Sequence, residues 1–252
     1  MTATRRFHFD PEWRITLLSA ILLPLLVALG FWQLQRAEEK AQLSAAWEAR
    51  QQQAPTPLAS LWDAPASELA YRPVSLRGSF VDEYFLLDNR ILEGRFGYEV
   101  LGVLRLQDSG ALVLVNRGWI AGDPARRALP DVPRVEGPVE LVGSVYVAPG
   151  APYLLAEQQL LPGWPKVLQA VEMDTLVPVL GALAEGAMFP YPVRLDRDQP
   201  GALAVHWQVV NVSPQKHRAY AVQWFAMAAV LLVFYLLRSS NLWQLLKSMG
   251  KG

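Results

Sequence analysis

His217, Tyr220 and Trp224 stand where a polar segment, Asn211-Val-Ser-Pro-Gln-Lys-His-Arg218, runs into an apolar one, Ala219 to Leu237. They are spaced i, i+3 and i+7, so on a helix the imidazole, phenol and indole share one face. The apolar run is long enough to cross a bilayer as a helix. Such a face, at the membrane boundary, can hold a flat, greasy cofactor with a charged edge. The same three side chains equally suit an ordinary interfacial helix anchor.

What is missing elsewhere narrows the chemistry. There are 3 histidines, and His8 precedes the first apolar run, across a membrane from His206 and His217, so a three-histidine metal centre is not expected. Cysteine is absent, which excludes disulfides, thiolate zinc sites and the Cys pairs of a copper carrier. No Gly-Lys-Ser/Thr phosphate loop, GxSxG elbow or GxGxxG fingerprint occurs, and no spacing singles out a pair of acids, so the chain does not read as an enzyme. The 23 acidic and 23 basic residues cancel, leaving no footprint for nucleic acid. The functional reading of His217 is axial ligation of haem iron through a neutral imidazole nitrogen. Arg36 or Arg218 would then meet the propionates, with Trp32 and Trp224 as apolar walls. Gln33 and Gln223, near the outer ends of the two apolar runs, read either as helix-to-helix hydrogen bonders or as solvated boundary residues.

Two spans have to position these groups. The first is 15–35, bounded by Arg14 and Arg36, with Pro24 tolerated inside as membrane helices allow. The second is 217–237. Neither a signal peptide nor a transit peptide is expected: the first run exceeds a secretory h-region, no cleavage site follows, and the tail contains Asp10 and Glu12. Basic residues outside the spans (Arg5, Arg6, Arg14; Arg238, Lys247, Lys251) favour both termini, 1–14 and 238–252, in the cytoplasm. The intervening 36–216 would then be exported, across a bacterial inner membrane.

The expected architecture is α+β: two transmembrane helices flanking an exported, mostly antiparallel β domain with one or two helices. Arg36 to Gln53 is rich in helix formers and should extend the first span as helix. Prolines between Ala54 and Pro65 end it. Short β-type runs follow at Val74 to Phe80, Tyr84 to Asn89, Tyr98 to Leu106, Ala111 to Asn116 and Val139 to Val147, separated by turn-rich pieces. The third and fourth should pair across Asp108-Ser109-Gly110. Asp174 or Thr175 is expected to cap a helix through Ala184 with Pro178 in its first turn. Val193 to Asp196 and Ala202 to Val212 are expected as strand. Leu87-Asp-Asn-Arg90 and Val115-Asn-Arg-Gly-Trp119 are apolar strands ending in Asn-Arg. Their arginines fit either a surface for carboxylates or structural ion pairs beside Asn-closed turns.

Taken in order, Gly30-Phe-Trp-Gln-Leu-Gln-Arg36 with Lys40, Tyr71-Arg-Pro-Val74 with Gly78, Asn89-Arg90, Gly97-Tyr-Glu-Val100, Val115-Asn-Arg-Gly-Trp119, Leu129-Pro130, Gly143 and Asn211-Val-Ser-Pro-Gln-Lys-His217-Arg-Ala-Tyr220-Ala-Val-Gln-Trp224-Phe225 resemble the Surfeit locus protein 1 family. The resemblance covers nearly the whole chain. One departure is Gly102-Val103, where the family commonly has Thr-Pro. The resemblance implies a non-enzymatic assembly factor for haem-copper cytochrome c oxidase. In bacterial members it further implies haem a binding with the second-span histidine as ligand. The implied partners are the oxidase's main catalytic subunit, which would receive the haem, haem a synthase as a further candidate, and the lipid bilayer. A haem-free scaffold acting through the β domain is the alternative.

Overall fold

The computed structural model describes residues 7–148, 150, 158–181, 183, 187–207 and 212–243. In chain order the elements are α1 (Trp13–Gln51), β1 (Thr56–Pro57), a 3-10 turn (Leu58–Leu61), α2 (Ala66–Leu69), β2 (Pro73–Leu92), β3 (Arg95–Leu106), β4 (Leu112–Ala121), β5 (Pro138–Val145), β6 (Lys166–Leu168), α3 (Met173–Gly181), β7 (Val193–Leu195) and α4 (Pro214–Arg238). They form two units: Met1–Ala46 with Val209–Gly252, and Trp47–Gln208.

In the first unit, α1 and α4 are each long and apolar enough to cross a bilayer. As expected, α1 continues past its apolar stretch, and Pro24 lies inside without ending it. Buried and half-buried positions recur at sevens: Thr16, Leu23, Gly30 and Ala37 with Ser19, Leu26 and Gln33 in α1; His217, Trp224 and Leu231 with Ala221, Ala228 and Tyr235 in α4. A seven-residue repeat keeps one seam facing the partner helix. Small residues in that seam let the backbones approach, which is how helices associate where lipid removes the hydrophobic drive. Gly30 shows how close: a Cβ there would lie 2.5 Å from the Phe225 ring. Phe225 in turn meets Phe31 edge-on, with centroids 5.3 Å apart. Toward the other end, the Thr16 and Tyr235 hydroxyls are 3.2 Å apart, and Arg238 donates to Glu12 at 3.3 Å.

The second unit is built on a closed ring. β2 pairs with β3, β3 with β4, β4 with β7, β7 with β5, and β5 returns to the first half of β2. Closure leaves these five strands no long free edge. β1 and β6 add short parallel pairings to β2. The β3–β4 hairpin forms as the sequence suggests, Arg105 opposite Leu112 across the Asp-Ser-Gly turn. Alternation along β4 explains its unbroken apolar run: Val113 and Val115 join a cluster fed by all five ring strands, while Leu112 and Leu114 join a second cluster capped by Leu176 and Leu180 of α3. Both faces are covered, so both sets of side chains are apolar.

Some expectations change. The runs Val74 to Phe80 and Tyr84 to Asn89 are one strand, β2, interrupted by register shifts between Phe80 and Tyr84 and between Leu87 and Arg90; bulges let a continuous strand bend between two neighbours. Helix α3 begins at Met173, ahead of either expected cap, so Pro178 lies in its interior rather than its first turn. Its expected end, Ala184, lies outside the described residues. The stretch 202–207 is not a strand; it makes one isolated bridge, Ala204 with Trp119, because the ring is already closed by β7. Residues 208–211, including Asn211, lie outside the described residues.

Candidate functional site

At the start of α4, Ser213 caps the helix by accepting from the Lys216 backbone N–H, and Pro214 occupies the first turn, where its missing N–H costs nothing. This fixes where His217 leaves the helix, in the seam facing α1. There the imidazole Nδ1 lies 2.7 Å from Oε1 of Gln33. A carboxamide oxygen only accepts, so Nδ1 carries the proton. That contact occupies Nδ1 and leaves Nε2 as the ring nitrogen a metal would take. Histidines that bind metals are oriented in this way, by a hydrogen bond on the other ring nitrogen. The geometry thus fits an iron ligand.

The other residues singled out from the sequence divide. Trp224 is half-buried in the same seam as His217. Tyr220 shares the histidine's helix face by spacing, but at the flank, where it is 50% exposed. Trp32 is 48% exposed and sits beside the Arg36 guanidinium, 5.9 Å from ring centroid to Cζ. Arg36 also pairs with Glu39 at 2.8 Å. Arg218 is exposed, as is Gln223. The structure brings His217 to Gln33, sets Trp224 two turns further along the same seam, and leaves Trp32, Arg36, Tyr220 and Arg218 on the outer faces of the helices. Gln33 is the residue whose role sequence alone left open; its signal was the seven-residue step from Ser19 and Leu26.

In the β unit, the Asn-Arg-Gly-Trp segment is a structural device. Val100 opposes Gly118 and Leu101 opposes Asn116, so Arg117 is the extra residue of a bulge. Gly118 has φ +108, a conformation other residues resist, and a Cβ there would meet the Ala204 carbonyl oxygen at 2.9 Å. Asn116 Oδ1 accepts from the Gly118 N–H. The bulge turns Arg117 inward, 5% exposed, where Nε donates to Gly201 O and Nη2 to Pro133 O, each at 2.8 Å. Its Cζ lies 5.5 Å from the Phe80 ring centroid, and burial pulls its pKa below the usual arginine value. Trp119 Nε1 donates to Arg90 O at 2.9 Å. Arg117 therefore ties loops to the ring and is not a surface group. Arg90 lies at the second β2 bulge, where Asn89 takes φ 57.

No group of three His, Asp or Glu side chains among the described residues can hold a bare metal ion. The chain thus combines a closed β ring with two helices long and apolar enough to cross a bilayer, and a histidine held by Gln33 in the seam between those helices. The SURF1 family model matches residues 20–229. The chain belongs to that family. Among its relatives are the SURF1-like protein of Monosiga brevicollis, 26% identical over 82% of this chain and 80% of that protein, and Surfeit locus protein 1 of Xenopus tropicalis, 28% identical over 85% and 73%. The cytochrome oxidase assembly protein SHY1 of Saccharomyces cerevisiae is 35% identical over 37% of this chain and 24% of its own length.

Proposed function

We propose that this chain is a non-enzymatic assembly factor for cytochrome c oxidase that binds haem a at His217 and assists its insertion into the main catalytic subunit. The family and the name of the yeast relative support the assembly role. The observation that carries the haem reading is the 2.7 Å contact between His217 Nδ1 and Gln33 Oε1, which leaves Nε2 for iron. When bound, the haem would supply an iron for the His217 imidazole nitrogen to hold and a lipophilic body suited to bilayer depth. Gln33 holds the imidazole orientation, the half-buried Trp224 ring offers an apolar wall along the same seam, and the exposed rings of Tyr220 and Trp32 offer apolar surface on the outer faces. Arg218 and Lys216 are exposed basic groups that could meet a propionate, whereas Arg36 pairs with Glu39. In this reading 15–35 and 217–237 cross the inner membrane of a bacterium, 36–216 is exported, and both termini are cytoplasmic, the side that basic flanks favour. The lipid bilayer and haem a synthase would be its further partners.

The test is the visible spectrum of the detergent-purified protein made in cells that produce haem a. The parent should carry haem a, His217→Ala should lose it with its far-UV circular dichroism intact, and Gln33→Leu should retain it with shifted bands. A parent that binds no supplied haem a, or a His217→Ala spectrum like the parent's, would overturn the carrier reading in favour of a haem-free scaffold.

A further inference from the structure

Within the β unit lies a cavity of about 150 Å³ lined by Arg90 and Arg194, by Glu99, Asn116 and Tyr146, and by apolar side chains including Leu101 and Val171. Two guanidiniums face one carboxylate, and that carboxylate is already engaged. Glu99 Oε2 accepts from Asn116 Nδ2 at 2.6 Å, and its Oε1 is 3.7 Å from Arg90 Nε. Arg194, on β7 in register with Asn116 of the neighbouring β4, has no acidic partner within ion-pair distance among the described residues. Its Nε is buried without a hydrogen-bond acceptor, as is that of Arg90. Instead its Cζ lies 3.6 Å from the Tyr146 ring centroid and 5.1 Å from that of Trp207. Stacking on those faces leaves Nε of Arg194 without an acceptor. Arginine does not shed its proton in a protein. Burial nevertheless pulls the pKa of Arg194 below its usual value, Tyr146 and Glu99 oppose that shift, and Arg90 adds to it by repulsion. The lining thus holds a net positive charge, unmade hydrogen bonds and an apolar wall in one small space.

We propose that this cavity is a binding site for a carboxylate on a short apolar stem, its oxygens taken by the Arg194 and Arg90 guanidiniums and its stem lying against Leu101 and Val171. A hole of this size accepts a ligand of about benzene's dimensions, and a single excess positive charge matches a monoanion. Planar guanidinium edges bind carboxylates in parallel pairs of hydrogen bonds. A free small acid and the acidic side chain of a docked polypeptide present the same group. The site is separate from His217 and does not rest on haem binding.

The test is calorimetric titration of the full-length protein in detergent, at matched ionic strength, with butyrate, with its neutral isostere butyramide, and with a glutamate capped at both ends. Butyrate or the capped glutamate should bind saturably and butyramide should not. Arg194→Gln should weaken binding by about tenfold or more, the loss of a charge-assisted pair. Glu99→Gln removes the competing negative charge and should tighten it, a gain that a misfolded variant cannot produce. Tighter binding of the capped glutamate than of butyrate identifies a polypeptide source, and the reverse identifies a free acid. The proposal is overturned if neither acid binds, if butyramide binds as well as butyrate, or if Glu99→Gln leaves affinity unchanged or lower.

Discussion

Arg117→Met is the substitution that most directly tests the distinction between a structural and a recognition arginine in the β unit. The side chain makes two hydrogen bonds to backbone carbonyls, both at 2.8 Å. Hydrogen bonds from a charged donor are worth about 1.5–3 kcal/mol each, so the gross loss is about 3–6 kcal/mol. Methionine recovers part of this, because a buried charge no longer has to be desolvated and an apolar chain still packs against Phe80. The net expectation is a destabilisation of about 2–4 kcal/mol, the two stranded carbonyls accounting for most of it. Urea unfolding of the full-length protein in detergent, followed by tryptophan fluorescence, measures it. Arg126→Ala is the control: that arginine reaches Asp88 at 2.6 Å from an exposed position, and its loss should leave the midpoint unchanged. If Arg117→Met unfolds within about 0.5 kcal/mol of the parent, a surface-like effect, then Arg117 does not tie the loops to the ring.

Two further outcomes follow from the packing. Gly30→Ala places a methyl 2.5 Å from the Phe225 ring; it should cost the helix pair about 1–3 kcal/mol, as overpacking does, and Phe225→Leu in the same chain should restore part of the melting temperature, whereas additive losses would refute the contact. Burial alone holds the Asp196 carboxyl above its ordinary pKa, so its contribution is favourable below the unfolded pKa and is lost as pH rises through the folded one. Asp196→Asn, which mimics the protonated form, should therefore match the parent below the ordinary carboxylate range and melt higher than it once the pH has risen through the folded pKa; a difference that does not change with pH would contradict the assignment.

Much of this architecture was legible along the chain because the signals are local. Runs of about 20 predominantly apolar residues report bilayer-length helices whatever surrounds them, and Asp108-Ser-Gly between two β-rich runs reports a hairpin. The ordered motifs from Gly30 to Phe225 carried the family resemblance. Positions at which two distant segments meet were less legible. Pattern divides β2 at its bulges, since an irregular register looks like a turn when the neighbouring strands are unknown. The Asn116-Arg117 pair looks like an exposed strand end for the same reason: only the opposing register, Val100 with Gly118 and Leu101 with Asn116, shows that Arg117 is the bulged residue turned inward.

The candidate site divides along the same line. The sequence by itself determined that His217 begins an apolar helix, that Trp224 shares its face, and that no cysteine or histidine cluster competes with it, because these depend only on composition and helical period. Its pairing with Gln33, 184 positions away, was decided by the tertiary structure, through a seam whose close approach depends on Gly30 and Ala221. So was the meeting of Arg90 on β2 with Arg194 on β7, which the ring's closure brings to one cavity. Tautomer, hydrogen-bond partner and local charge are properties of what surrounds a side chain, and folding alone supplies those surroundings.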